Sequence, residues 1–113
     1  MCSRDALFEI VGKVANQMRT LFGEALTDVI LFGSYARQEE AKDSDIDIMI
    51  LVNMPREQLI GYRRKAAEIA NDILFDYGIV VSPLLESKVF FEGNCAHYPF
   101  FRNIDREGIR YAA

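Results

Sequence analysis

The sequence predicts an α+β fold, a two-layer arrangement of helices on a small sheet. Three observations carry it. Residues 7–22 repeat apolar side chains at three- and four-residue steps. Two short apolar runs rich in β-branched residues, Val29–Phe32 and Asp45–Val52, come next. A second amphipathic stretch then leads to a third such run, Ile79–Leu85. Helical and strand periodicities thus alternate within 113 residues, about the length of one domain. A single domain over residues 1–113 is expected.

Ser3 is placed to cap the first helix, and Leu7, Ile10, Val11, Val14, Ala15, Met18, Leu21 and Phe22 form its apolar stripe. Gly23 is a natural stop. Val29–Phe32 reads as a strand buried on both faces, and Gly33-Ser34 ends it. Tyr35 to Glu40 is long enough for one or two helical turns, and Ala41–Ser44 is a polar loop.

In the second strand, Asp45–Val52, Ile46, Ile48, Ile50 and Val52 share one face. Asp45, Asp47, Met49 and Leu51 share the other. The link between the two strands is about a dozen residues, which leaves parallel and antiparallel pairing both open. Pro55 opens a helix whose apolar positions run from Leu59 to Tyr77, and Gly78 closes it. Pro83 has no N–H for a ladder, so the third strand belongs at an edge or carries a bulge. Lys88–Gly93 fits a short helix or a docking segment. A last helix is expected from Pro99 towards Arg110, with Arg102, Arg106 and Arg110 on one face.

Half of the residues are apolar and 27% are charged, as in an ordinary globular domain. The net charge of −4 argues against a broad nucleic-acid surface, so no direct DNA binding is expected. No apolar run approaches the ~18 residues of a membrane span, and Arg4, Asp5 and Glu9 are unlike a secretory signal. Cys2 and Cys95 form no Cys-x-x-Cys and read as reduced thiols of a cytoplasmic protein.

The chemistry concentrates in two places, Gly33-Ser34 and Asp45-x-Asp47, with ten residues between Ser34 and Asp45. Two positions apart on a strand, the aspartates point to one face with Cα atoms about 6.5–7 Å apart. Two such carboxylates can share a magnesium ion whose other ligands are phosphates and water. A second ion in the same site could activate an attacking group. A glycine lets the backbone come close to a phosphate, and Ser34 adds a hydroxyl and an N–H. Arg37 is a nearby cation for phosphate oxygens. In-line attack on the α-phosphate of a nucleoside triphosphate, with pyrophosphate leaving, is the reaction this set suits.

Gly33-Ser34, the ten-residue spacer and Asp45-x-Asp47 resemble the signature of DNA polymerase β-like nucleotidyltransferases, in particular the minimal nucleotidyltransferases. The resemblance implies a small mixed sheet with helices packed on one side. It implies ATP as substrate, Mg²⁺ held by Asp45 and Asp47, and the triphosphate on Gly33, Ser34 and Arg37. Active members usually add a third carboxylate on a later strand, where this chain has Ser82. Glu86 is the nearest acid, and it reaches the site only if that strand bends at Pro83.

The segment Tyr98–Arg110 is similar to the tail of minimal nucleotidyltransferases that act as antitoxins beside small helical partners of the HEPN class. That likeness implies transfer of AMP to a HEPN-type toxin. Two other roles stay open at this level: neutralisation by binding alone, and nucleotidyl transfer to a small-molecule hydroxyl. A homo-oligomer is also compatible with so small a chain.

Overall fold

The computed structural model describes residues 3–111; Cys2 lies outside them. Helix α1 spans Arg4–Phe22. Ser3 Oγ accepts from the Ala6 N–H at 3.1 Å, and Gly23 ends the helix with φ 60°. A short 3₁₀ turn, Gly23–Ala25, leads into β1, Leu26–Phe32. One helical turn, α2 (Ser34–Arg37), and a loop connect β1 to β2, Ile46–Val52. The helix expected from Pro55 onward is interrupted. It forms α3, Arg56–Leu59, then a 3₁₀ turn holding Gly61, then α4, Arg63–Tyr77. Glycine is a weak helix former, which suits a break there.

Strand β3 covers Val81–Ser87, and Ser87 caps α5, Lys88–Asn94, by accepting from the Phe90 N–H at 3.2 Å. Helix α6 runs Pro99–Glu107, with proline in its first turn. It stops sooner than the arginine spacing suggests. Ile109–Tyr111 forms a fourth strand, β4, so Arg110 leaves the helix face shared by Arg102 and Arg106. Gly108 makes that turn possible. A side chain there would overlap Ile30 and the Ile104 carbonyl. Arg110 instead pairs with Asp28 on β1 and with Asp105 on α6, tying β4 to both.

The sheet order is β3-β2-β1-β4. β1 pairs antiparallel with both β2 and β4, and β2 pairs parallel with β3. The open question of strand orientation thus resolves as antiparallel, because the β1–β2 link doubles back through α2. Pro83 sits on the edge strand, as its missing donor requires.

The larger core lies on one face, where Leu7, Ile10, Val14 and Met18 of α1 and Ala66 and Ile73 of α4 meet Val29, Leu31, Ile46, Ile48 and Ile50. This is the layer expected of a mixed sheet with helices on one side. The opposite face is also partly covered. There Phe91 of α5 and Phe101 and Ile104 of α6 bury Ile30, Met49 and Leu51. Burying each such aromatic ring stabilises by about 1.5–3 kcal/mol, enough to hold two short helices in place. Asp45 and Asp47 belong to this second face. Among the described residues no helix is long and apolar enough to cross a membrane.

Candidate functional site

Asp47 lies in the middle of a cross-sheet row. Phe32 of β1 is its partner on one side and Ser82 of β3 its partner on the other. The row falls where β1 ends and β2 and β3 begin. The same end of the sheet therefore gathers Gly33, Ser34, Asp45 and Asp47.

Gly33 has φ 74° and ψ −154°, a backbone region that only glycine adopts without strain. A Cβ there would also overlap Asp47 Oδ2. The glycine is thus required twice, for the turn out of β1 and for room beside the carboxylate. Ser34 then begins α2, whose single turn is closed by Arg37 N–H to the Gly33 carbonyl at 3.2 Å. Gln38 ends it in a left-handed conformation at φ 58°.

Asp47 is half-buried, and burial is the larger cause that raises its pKa above the ordinary carboxylate value. The neighbouring Asp45 charge adds to the rise, and Arg37 opposes it. Asp45, exposed just before β2, accepts from the Ser82 hydroxyl at 3.5 Å. Arg37 Nε meets Glu39 at 2.8 Å, and its Nη1 lies 3.7 Å from Glu107 of α6. Among the described residues no three His, Cys, Asp or Glu side chains come together as a metal site. Asp45 and Asp47 are close enough for their charges to interact.

Glu86 is not brought to this pair. It pairs in register with Leu51, four residues beyond Ser82 and about 13 Å along the strand. The ladder runs unbroken from Val81 to Ser87, so β3 does not fold back at Pro83. Glu86 is 4% exposed and is held by Arg56 Nε at 3.1 Å and by the Ser87 N–H at 2.8 Å. Arg56 in turn stacks 3.9 Å over the Phe90 ring. This is a tether between α3, β3 and α5.

Next to Asp47 is a cleft of about 240 Å³ lined by Phe32, Gly33, Arg37, Asp47 and, from α6, Phe100, Asn103, Ile104 and Glu107. The α6 wall was not foreseen from the sequence. Its signal was the i, i+3, i+7 spacing of Phe100, Asn103 and Glu107, which only a known packing direction makes readable. A wider hollow of about 580 Å³, lined by Asn53, Met54, Ser87 and Phe90 among others, sits at the far end of β2 and β3, away from the aspartates.

The family model for the nucleotidyltransferase domain matches residues 11–101, which includes every residue of the Gly33-Ser34 and Asp45-x-Asp47 pattern. The chain belongs to the nucleotidyltransferase domain family. This nucleotidyltransferase is 29% identical over 98 residues to a Methanocaldococcus jannaschii protein named "Putative protein adenylyltransferase", covering 87% of this chain and 90% of the relative. A second protein of that name from the same organism is 35% identical over 83 residues, covering 73% of this chain and 81% of the relative. Among solved structures, a toxin–antitoxin with AMP-PNP aligns with a TM-score of 0.52 at 18% identity, over 90% of this chain and 73% of that chain. A mutant of the toxin–antitoxin MntA-HpeT aligns with the same score and coverage at 17% identity. At such identities the likeness is one of fold. The class of enzyme and the mixed-sheet fold expected from the resemblance are those of the family.

Proposed function

We propose that this nucleotidyltransferase transfers AMP from ATP to a hydroxyl on a protein acceptor. The observation that carries the reading is the convergence of Gly33, Ser34, Asp45 and Asp47 at one end of the sheet, with Gly33 packed against the Asp47 carboxylate. Two adjacent carboxylates, one of them half-buried, form a donor set that suits Mg²⁺ with substrate phosphates completing its shell. Asp45 and Asp47 would hold that ion, which supplies charge neutralisation at the α-phosphate when bound.

The chain's own groups set up the rest. Gly33 gives the triphosphate backbone-close access, and Ser34 offers it a hydroxyl. Arg37 turns from Glu107 to the phosphates, since that contact is long at 3.7 Å. The acceptor oxygen bonds to the α-phosphorus, the bond to the bridging oxygen breaks, and pyrophosphate leaves. Among the described residues no third carboxylate joins the pair, so the acceptor proton passes to substrate phosphate or water.

The names of the relatives support a protein acceptor, and the tail resemblance together with the toxin–antitoxin fold neighbours supports a HEPN-class helical toxin as that acceptor. Cytoplasmic location follows from such a partnership. A second reading is favoured by one observation: Ser82 occupies the register position beside Asp47, where the family resemblance implies a third acid. On that reading the chain is an antitoxin that neutralises by binding.

Labelled ATP, Mg²⁺ and the candidate helical partner separate the two. Label should appear on the partner and vanish in Asp45→Ala and Asp47→Ala. Neutralisation that survives both substitutions, without any label, selects the binding reading.

A further inference from the structure

The α6 wall of the cleft has no part in the transfer chemistry, yet it borders the triphosphate cradle directly. Phe100, Asn103 and Glu107 stand on one helix face, opposite Gly33, Arg37 and Asp47. Phe100 is 53% exposed, while its neighbour Phe101 is buried in the core. It is nonetheless held in place. Its ring meets Phe32 edge-on, with centroids 5.8 Å apart and planes at 84°. It also tilts against Phe101 at 6.1 Å. A fixed aromatic ring at the mouth of a cleft is a stacking platform.

Asn103 is exposed, and its amide makes no hydrogen bond among the described residues. It offers a donor and an acceptor side by side in one plane. The adenine edge presents the complementary pair, an amino donor beside a ring-nitrogen acceptor. Guanine presents two acceptors on its equivalent edge and calls for two donors, as an arginine supplies. The one arginine lining this cleft, Arg37, is the one the proposed function already assigns to the phosphates.

We propose that this face of α6 is the nucleobase pocket, with Phe100 stacking on the base and Asn103 reading its edge in favour of adenine. The inference rests on the triphosphate cradle of the proposed function and adds the residues that would select the adenine base. The cleft volume of about 240 Å³ suits one base, with the phosphates reaching out over Gly33 towards the aspartates.

Equilibrium binding tests it without any need for turnover. Calorimetry with Mg²⁺ compares α,β-methylene ATP, α,β-methylene GTP and inorganic tripolyphosphate on the full chain. The intact protein should prefer the adenine analogue about tenfold or more. Phe100→Ala should weaken both analogues about tenfold, and Phe100→Tyr should restore them. Asn103→Leu should remove the adenine preference. Tripolyphosphate binding should not change in any variant.

Discrimination that persists in Asn103→Leu, or unchanged analogue binding in Phe100→Ala, overturns the pocket while the cradle stands. Unchanged nucleotide binding with loss of partner labelling also overturns it, and assigns this wall to the acceptor. If even tripolyphosphate fails to bind the intact protein, the cradle reading fails and the pocket falls with it.

Discussion

Gly33→Ala is the sharpest test of how the site is built. Two costs should appear together. The backbone at φ 74°, ψ −154° lies in a region where a residue with a Cβ is strained by about 1–3 kcal/mol. The added methyl also overlaps Asp47 Oδ2, and overpacking of this kind costs a further ~1–3 kcal/mol. Gly23→Ala supplies the comparison. Gly23 has a similar backbone, φ 60° and ψ −134°, but nothing lies within 4 Å of where its Cβ would stand. It reports strain alone. Urea denaturation of both variants should place Gly33→Ala at least about 1 kcal/mol below Gly23→Ala, with unchanged slope. Adding Asp47→Ala should then recover the steric part, because the overlapping atoms are gone. A coupling of about 1 kcal/mol or more between positions 33 and 47 is the expected signature. Equal losses in the two glycine variants, together with additivity at 33 and 47, would refute the claim that this glycine makes room for the carboxylate.

Asp47→Asn should stabilise the protein in chelator at neutral pH. Burial and Asp45 raise the folded-state pKa of Asp47 above its unfolded value, so the folded state binds more protons and stability falls as pH rises through that window. Thermal melts from pH 4 to 8 should show a shallower decline in the variant; an unchanged pH slope would contradict the shift. Arg56→Ala strands the buried Glu86 carboxylate and removes its stacking on Phe90, so it should cost about 1–3 kcal/mol in urea. Glu86→Gln should keep nucleotide transfer at the native rate, and a loss of turnover at native stability would return Glu86 to the site. Ser82→Asp places a third carboxylate beside Asp47 and Asp45. Its melting temperature should drop in chelator and rise with Mg²⁺ by more than that of the intact protein, and equal Mg²⁺ responses would count against a cation at this pair.

Much of this arrangement could be read from local pattern. Ser3, Gly23 and Gly78 mark helix ends by chemistry that acts over one turn, and each does so in the fold. Pro83 called for an edge or a bulge because a missing donor is a local fact, and β3 is at the edge. Asp45 and Asp47 share a face by the pleat alone. What escaped reading depends on contacts distant in sequence. β4 is three residues long, too short for an alternation to register, and it exists because β1 offers it a free edge. The arginine series 102, 106, 110 looked helical to its end, whereas Gly108 turns the chain against Ile30. Phe100 and Phe101 are adjacent and chemically identical. Only the packing direction of α6 decides that one joins the core and the other faces the cleft.

The placement of α6 links these misses to function. Its anchor is the second, smaller core of Phe91, Phe101 and Ile104 against Ile30, Met49 and Leu51. Its far end is fixed by Arg110, which joins Asp105 on α6 to Asp28 on β1. One helix is thus pinned to the face that carries Asp45 and Asp47, at both of its ends, by groups that take no part in the chemistry. The face of α6 left over points at the cradle. Phe101 and Ile104 cover the sheet, while Phe100 and Asn103 line the cleft. On the pocket proposed above, the tail segment serves the site as well as the fold. Substitutions in Phe91 or Arg110, though far from the aspartates in sequence, should act on nucleotide binding through the position of α6.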